Sequence, residues 1–406
     1  MLESLMDDIA TYSGLDKYNV APNPSQFFSY YPKYEYLDKL LSLNPKKHLN
    51  LFIDVKGCSP ALFSEWAVKY IIQDSKTSRH INMSYFAGVI EFIAWHILYC
   101  QKRDLTVDFH FFMEQGRSVY HTSIYKEYKS NRILSDFFGL DLQDQEYFKK
   151  VIDMNYNLLE YTINKIPHCS FYKIKYVEAD FMPWYLLEYL IPKEEQLESI
   201  NLIYTRDKDM LQCLKFPNTY QYYRAQWKET TSLVTPKSLL RHWAKLDENC
   251  IIDRVAEWFP LFLSMLGDNG DSIPGIKGIG YKTIIKSINE IISVYGGDPD
   301  KMYDIVMNGK DVLSESFQYQ KTVTSRKLFG NHQILQRNLK LISFRALSEW
   351  VNGGYPLQTV EVKKYIESIY NNKEKLKDYK VILNALNSKG LNDVVNEASL
   401  ERCFSE

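Results

Sequence analysis

Short apolar runs alternate along the chain with longer segments of helical periodicity, and four of these runs lead into acidic residues. LNLFI at 49–53 runs into Asp54, VDFHFFM at 107–113 into Glu114, YKIKYV at 172–177 into Glu178 and Asp180, and NLIYT at 201–205 leads to Asp207 and Asp209. The short runs predict strands, and segments such as 83–101 and 184–190 carry the period of helices. Strands alternating with helices at this spacing predict an α/β core with a largely parallel sheet. Such sheets bind ligands beyond the carboxyl ends of their strands, which is where these acids would gather.

From about Trp243 the strand signal fades and helical patterns dominate, interrupted by a glycine-rich run at 267–280. The chain therefore divides into an extension (1–48, with Pro22, Pro24 and Pro32 among many tyrosines), an α/β core (49–242), a helical region (243–352) and a helical tail (353–406). Within the core, 116–166 is polar, aromatic and lysine-rich and lies between two predicted strands. It is long for a connection, which predicts a functional insertion or a mobile segment.

With 406 residues, 45% hydrophobic and 15% aromatic, the chain can bury one large core or two moderate ones. The formal charge of -1 gives no overall basicity, so a nucleic-acid partner would have to be gripped by local patches. The first ten residues carry Glu3, Asp7 and Asp8 and resemble no secretory leader, and no apolar run reaches membrane length. The six cysteines (Cys58, Cys100, Cys169, Cys213, Cys250, Cys403) form no CxxC pair. They read as reduced, buried small hydrophobes of a cytoplasmic protein.

Hard divalent cations take oxygen ligands, so a catalytic site for them needs carboxylates converging from different strands. Asp54, Glu114, Glu178, Asp180, Asp207, Asp209, Asp268 and Asp271 are placed for this. Any one of them has a plain alternative as a helix cap; Asp207 could cap a helix continuing through Met210 and Leu211. Capping does not account for acids at four successive strand ends and a further pair in a glycine-rich loop.

Three acidic segments, YVEAD at 176–180, TRDKDMLQ at 205–212 and GDNGDSIPGIKGIGYKT at 267–283, resemble in order the signatures of the flap endonuclease and 5′-3′ exonuclease family. That family includes bacteriophage RNase H-type 5′ nucleases and the 5′ nuclease domain of bacterial DNA polymerase I. YKEYKSNR at 125–132 resembles the start of its helical arch, and RNLKLI at 337–342 a later helix. The resemblance implies a PIN-like core, an arch at about 116–166 and a helix-three-turn-helix module. It implies two Mg2+ or Mn2+ ions, with Asp54, Glu114, Glu178 and Asp180 serving one and Asp207, Asp209, Asp268 and Asp271 the other, some through water. The module would also hold K+.

The sequence departs from the family pattern at three positions: Phe181 stands where a second aspartate follows Asp180, Glu114 where aspartate is usual, and Arg206 where glycine precedes Asp207. The first and third bear on the second metal. The leader before Asp54 is also longer than usual.

Between Arg117 and Arg132 the basic residues Arg117, Lys126, Lys129 and Arg132 outnumber Glu127 and interleave with Tyr120, Tyr125 and Tyr128. Such a segment suits phosphate contact and base stacking. The resemblance assigns Lys129 and Arg132 to the scissile phosphate and Tyr128 to the terminal base. Gly275, Gly278 and Gly280, with Lys282, would hold duplex phosphates on backbone amides.

The implied activity is hydrolysis of DNA or RNA at a free 5′ end, on branched or nicked DNA or an RNA–DNA hybrid, beside a single-strand binding protein or clamp in a bacterial cell or phage-infected host. Two other readings are a weakened, branched-DNA-binding structural factor and a PIN-type single-strand ribonuclease.

Overall fold

The computed structural model describes residues 34–58, 65–78, 81–130, 140–224, 231–244, 254–295, 297–308, 327–328, 330–354, 356–372 and 380. Its centre is a six-stranded sheet in the order β3-β2-β1-β4-β5-β6. The strands are β1 (His48–Asp54), β2 (Thr106–Gln115), β3 (Cys169–Lys175), β4 (Ser199–Tyr204), β5 (Thr219–Arg224) and β6 (Thr231–Val234). All neighbours are parallel except β5 and β6. β1 lies between β2 and β4, so the winding of the chain reverses there and opens a crevice at the carboxyl ends.

Both faces of the sheet are covered, which is why its strands read as nearly continuous apolar runs. Leu49, Leu51 and Ile53 of β1 point with Val107, Phe109 and Phe111 of β2 into one core layer. That layer is completed by helices α1 (Glu35–Leu43), α2 (Ser84–Gln101) and α3 (Leu142–Ile163). Phe52, Phe112, Tyr172 and Ile203 face the other way, against a helical stretch at 179–190 and helices α6 (Phe344–Asn352) and α7 (Leu357–Asn372). A third cluster fills the helical region around α4 (Val255–Leu266) and α5 (His332–Ile342) and takes in Leu211, Leu214 and Tyr128 from the core.

The first, second and fourth strands lie where the apolar runs place them, within two residues. The third ends earlier, because Tyr176 adopts a left-handed backbone (φ 70°) and turns the chain; its carbonyl accepts the Val119 amide at 2.6 Å. β5 and β6 were not anticipated. The stretch at 116–166 differs in its second half: α3 is a 22-residue helix whose Phe148, Val151, Tyr156, Leu158 and Leu159 are buried in the core. The end of the extension is likewise built in, through Tyr36, Leu37 and Leu40 of α1. Phe181 is fully buried, edge-on to Tyr185 with centroids 5.5 Å apart. Cys100, Cys169 and Cys213 are free and buried; Cys250 and Cys403 lie outside the described residues. Among the described residues no helix is long and apolar enough to cross a membrane.

Leu37 has no exposed surface. Leu37→Ala is expected to cost about 2–5 kcal/mol in urea unfolding, the range for emptying a buried leucine site; a cost near zero would show that α1 is not part of the folding unit.

Candidate metal centre

Parallel strands ending side by side bring their following loops together, and six of the eight acids arrive this way. Asp54 closes β1, Glu114 stands near the end of β2, Glu178 and Asp180 follow β3, and Asp207 and Asp209 follow β4. Asp268 and Asp271 come from the helical region, on a ribbon in which β7 (Gly267–Asp268) pairs with β8 (Ile273–Pro274). The ribbon turns directly off α4. A side chain on Gly267 would lie 2.3 Å from the Gly275 nitrogen and one on Gly275 2.0 Å from the Leu266 carbonyl, so the crossing needs glycine at both places.

Local hydrogen bonds aim Asp54, Asp207 and Asp268. Asp54 accepts the Gly57 amide at 2.7 Å and the Thr205 hydroxyl at 2.9 Å. Gly57 leaves the room for this, since a Cβ there would lie 1.9 Å from Asp54 Oδ2. Asp207 accepts the Asp209 amide at 2.9 Å, its own amide donates to Thr205 Oγ1 at 3.0 Å, and Gln221 of β5 donates to its carbonyl at 3.0 Å. The Gly270 amide donates to Asp268 at 2.8 Å. Asn338 of α5 donates to the carbonyls of Ser264 (2.9 Å) and Pro274 (2.8 Å), tying the ribbon to two helices.

The acids fall into two electrostatic groups. Four have a lysine: Lys56 reaches Glu114 at 3.2 Å, Lys129 pairs with Glu178 and stands 3.8 Å from Asp271, and Lys208 reaches Asp268 at 3.0 Å. The other group is Asp54, Asp180, Asp207 and Asp209, for which no Lys, Arg or His among the described residues lies in ion-pair range. Burial, followed by the charges of Asp207 and Glu114, pushes Asp54 up to about 7. Burial, then Glu178 and Asp207, raises Asp180 well above the carboxylate range; burial, then Asp207, does the same to Asp209. Asp207 is raised by burial and by Asp271. Burial opposes ionisation of Glu178 too, but His121, Lys129 and the hydrogen bonds from Lys129 and Tyr128 outweigh it and hold the group below its ordinary value.

These acids lie close enough to perturb one another, and a divalent cation is the natural relief of that repulsion. Two features fit such a group. Ligand oxygens of Asp209, Asp268 and Asp271 all lie within 4.8 Å of one another, and the buried Oδ1 of Asp209 has no hydrogen-bond partner.

The proposed nucleic-acid residues are less uniform. Tyr128 is turned inward, donating to Glu178 at 2.8 Å and Asp271 at 3.2 Å, with its ring stacked 4.6 Å from that of His121. Arg117 and Lys126 are exposed. Arg132 lies outside the described residues, and Lys282 is in the first turn of the helix Tyr281–Tyr295. Gly278 has φ +80°, and the Gly280 amide donates to Thr283 Oγ1 at 2.9 Å, closing the helix start where an open phosphate donor was expected. Arg206 is exposed.

Five contributors escaped the sequence reading: Lys56, Gly57, Thr205, Lys208 and His121. Gly57 three residues after Asp54, and Lys208 between two aspartates, were visible signals; His121 was not. His121 exchanges a hydrogen bond with Ser118 at 2.6 Å and, through Nε2, bonds the Leu341 carbonyl at 3.0 Å, so it joins the lysine-rich segment to α5.

No protein-family model matches the chain. A curated 5′-3′ exonuclease of Buchnera aphidicola is 26% identical over 213 residues, which make up 52% of this chain and 63% of that protein. The match thus spans just under two thirds of the relative. Among solved structures, the bacteriophage T5 D15 protein co-crystallised with metal ions superposes with a TM-score of 0.52 at 18% identity, covering 80% of this chain and all of that one. The T5 5′-exonuclease with bound zinc gives 0.51 at 17% identity, with the same coverage. At this identity the structures establish the fold.

Gly57→Ala is expected to lower Mn2+ affinity about tenfold or more with the far-ultraviolet circular dichroism unchanged, since a methyl would push the Asp54 carboxylate out of place; wild-type affinity in calorimetry would refute the placement. A second expectation concerns pH. Asp54 titrates near 7 when folded and near about 3.9 in an unfolded chain, so the folded state binds the extra proton between those values. Stability of the metal-free protein should therefore fall as pH rises from about 4 to about 7, and Asp54→Asn should flatten part of that slope in thermal melts with EDTA. An unaltered slope would exclude Asp54 as a contributor. The chain is thus similar in part of its sequence to a curated 5′-3′ exonuclease and in fold to the bacteriophage T5 D15 protein.

Proposed function

We propose that the chain is a divalent-metal-dependent 5′ nuclease, acting as 5′-3′ exonuclease and flap endonuclease on branched or nicked DNA and on RNA–DNA hybrids. The observation that carries this reading is the convergence of eight acids, six from the strand ends and two from the ribbon, four of them half-buried with no lysine, arginine or histidine in ion-pair range among the described residues. A purely structural protein would gain nothing from that repulsion.

In this reading Asp54, Glu114, Glu178 and Asp180 hold one Mg2+ or Mn2+, and Asp207, Asp209, Asp268 and Asp271 the second. Bound ions of this kind lower the pKa of water and neutralise charge growing on a phosphoryl group. The chain's own contribution is to aim the ligands and place cations. Thr205 and Gly57 fix Asp54, and Gln221 fixes the loop of Asp207. Lys129 pairs with Glu178 and precedes Arg132 by three residues, and both would stabilise the scissile phosphate. Tyr128 orders Glu178 and Asp271 in the absence of substrate, and stacking on a terminal base would require it to leave them. The turn at 275–280 and Lys282 would grip duplex behind the cleavage point, with K+ a further ligand of that module. The Buchnera aphidicola match, to a 5′-3′ exonuclease, supports the assignment of reaction.

Asp180→Ala and Asp209→Ala are each expected to reduce cleavage of a 5′-labelled flap duplex by at least about a thousandfold, with substrate binding retained or tightened because negative charge is removed. EDTA should abolish wild-type cleavage. Metal-independent cutting, or full turnover by Asp180→Ala, would sink the proposal; branched-DNA binding with no product under any metal would favour a structural role.

A further inference from the structure

Lys208 lies between two of the proposed ligands, Asp207 and Asp209, and its ammonium rests 3.0 Å from Asp268 Oδ2. Asp268 belongs to the set, with Asp209 and Asp271, whose ligand oxygens fall within 4.8 Å of one another. The same set therefore holds a cation already, supplied by the chain. We infer that Lys208 is a built-in competitor for the second divalent ion: it must leave Asp268 before the Asp209, Asp268 and Asp271 group can take a metal. The inference rests on the two-metal reading above and deepens it, by giving the two loading steps different affinities.

Four observations lead to this. A divalent ion would need a carboxylate oxygen at about 2.0–2.1 Å, and an ammonium on that same oxygen would then face it at close range as a like charge. The backbone on either side of Lys208 is pinned, by the Asp207 and Asp209 hydrogen bonds and by Gln221, so relief has to come from the side chain. That side chain retains 35% of its surface exposed and has a way out to water. Finally, Phe181, next to Asp180, is buried among apolar side chains, so that position brings no negative charge to the acids. In the first set Asp54 and Asp180 have no lysine in ion-pair range among the described residues, while Glu114 and Glu178 pair with Lys56 and Lys129; Lys208 pairs with Asp268 and with no ligand of the first set, so its removal should act on the second step alone.

The test is equilibrium Mn2+ binding to the full chain without nucleic acid, by electron paramagnetic resonance of free Mn2+ and by calorimetry. Wild type is compared with Lys208→Met, Lys208→Ala and Lys208→Arg, and flap-duplex cleavage is followed in parallel. Wild type should show a tight and a weaker step. Both neutral variants should tighten the weaker step at least tenfold and leave the tight step within twofold, while Lys208→Arg keeps the wild-type separation. An unchanged weaker step in the neutral variants, or equal tightening of both steps, would overturn the inference while leaving the nuclease reading intact if wild type binds two ions and cleaves. Absence of Mn2+ binding and of cleavage in wild type would overturn both. The use of two neutral variants, each checked by circular dichroism, separates a folding defect from a loss of competition.

Discussion

Carboxylates repel one another, and a protein that buries several of them side by side must supply protons, cations or strong donors in return. That constraint organises this molecule. Asp54, Asp180, Asp207 and Asp209 lie in or beside the crevice between β1 and β4 with no lysine or arginine among the described residues in ion-pair range. The donors that do reach them, the Gly57 amide, the Thr205 hydroxyl and the Asp209 amide, orient the groups without removing their charge. Burial, followed by the neighbouring charges of Asp207 and Glu114, raises proton affinity in return and pushes Asp54 up to about 7.

A rigid frame is needed to hold groups that push apart. The sheet supplies it by being buried on both faces, so that β1 cannot shift without disturbing Leu51 on one side and Phe52 on the other. The last two acids are carried by a different layer, and the site is complete only because the helical region is locked to the core. Leu211 and Leu214 pack against α4, Asn338 anchors the ribbon, and Tyr120, His121 and Gln212 bond the carbonyls at the end of α5. Relative placement of core and helical region is thus a property of the candidate site as well as of the fold.

Much of this is legible in the sequence because charge directly after an apolar run marks a strand end, and Asp54 and Glu114 stand in that position, with Asp207 one residue further on. The α/β class and parallel sheet followed from the same alternation. Other features had no linear signal. Tyr176 looks like strand continuation, and only its left-handed backbone shows that β3 has ended. β5, with the sequence TYQYYR, lacks the apolar run that marked the others. The helix at 142–163 is polar on one face and in the sequence continues the basic segment before it, although its apolar face completes the core. Pairings such as Lys56 with Glu114 depend on which strands are neighbours, which no local pattern records.

Net charge was the least informative number, and the structure explains why. A chain with 49 basic and 50 acidic residues looks electrostatically bland. Here the two signs are sorted in space: acids crowd the crevice, Lys56, Lys129 and Lys208 each take one of the flanking acids, and Arg117 and Lys126 face outward. Fields at a surface depend on this sorting and decay over roughly 8–10 Å at physiological salt, so the sum over the whole chain says little about what approaches the crevice. A near-neutral total over 406 residues is therefore compatible with a crevice where eight acids meet three lysines, its middle having no cation in ion-pair range among the described residues.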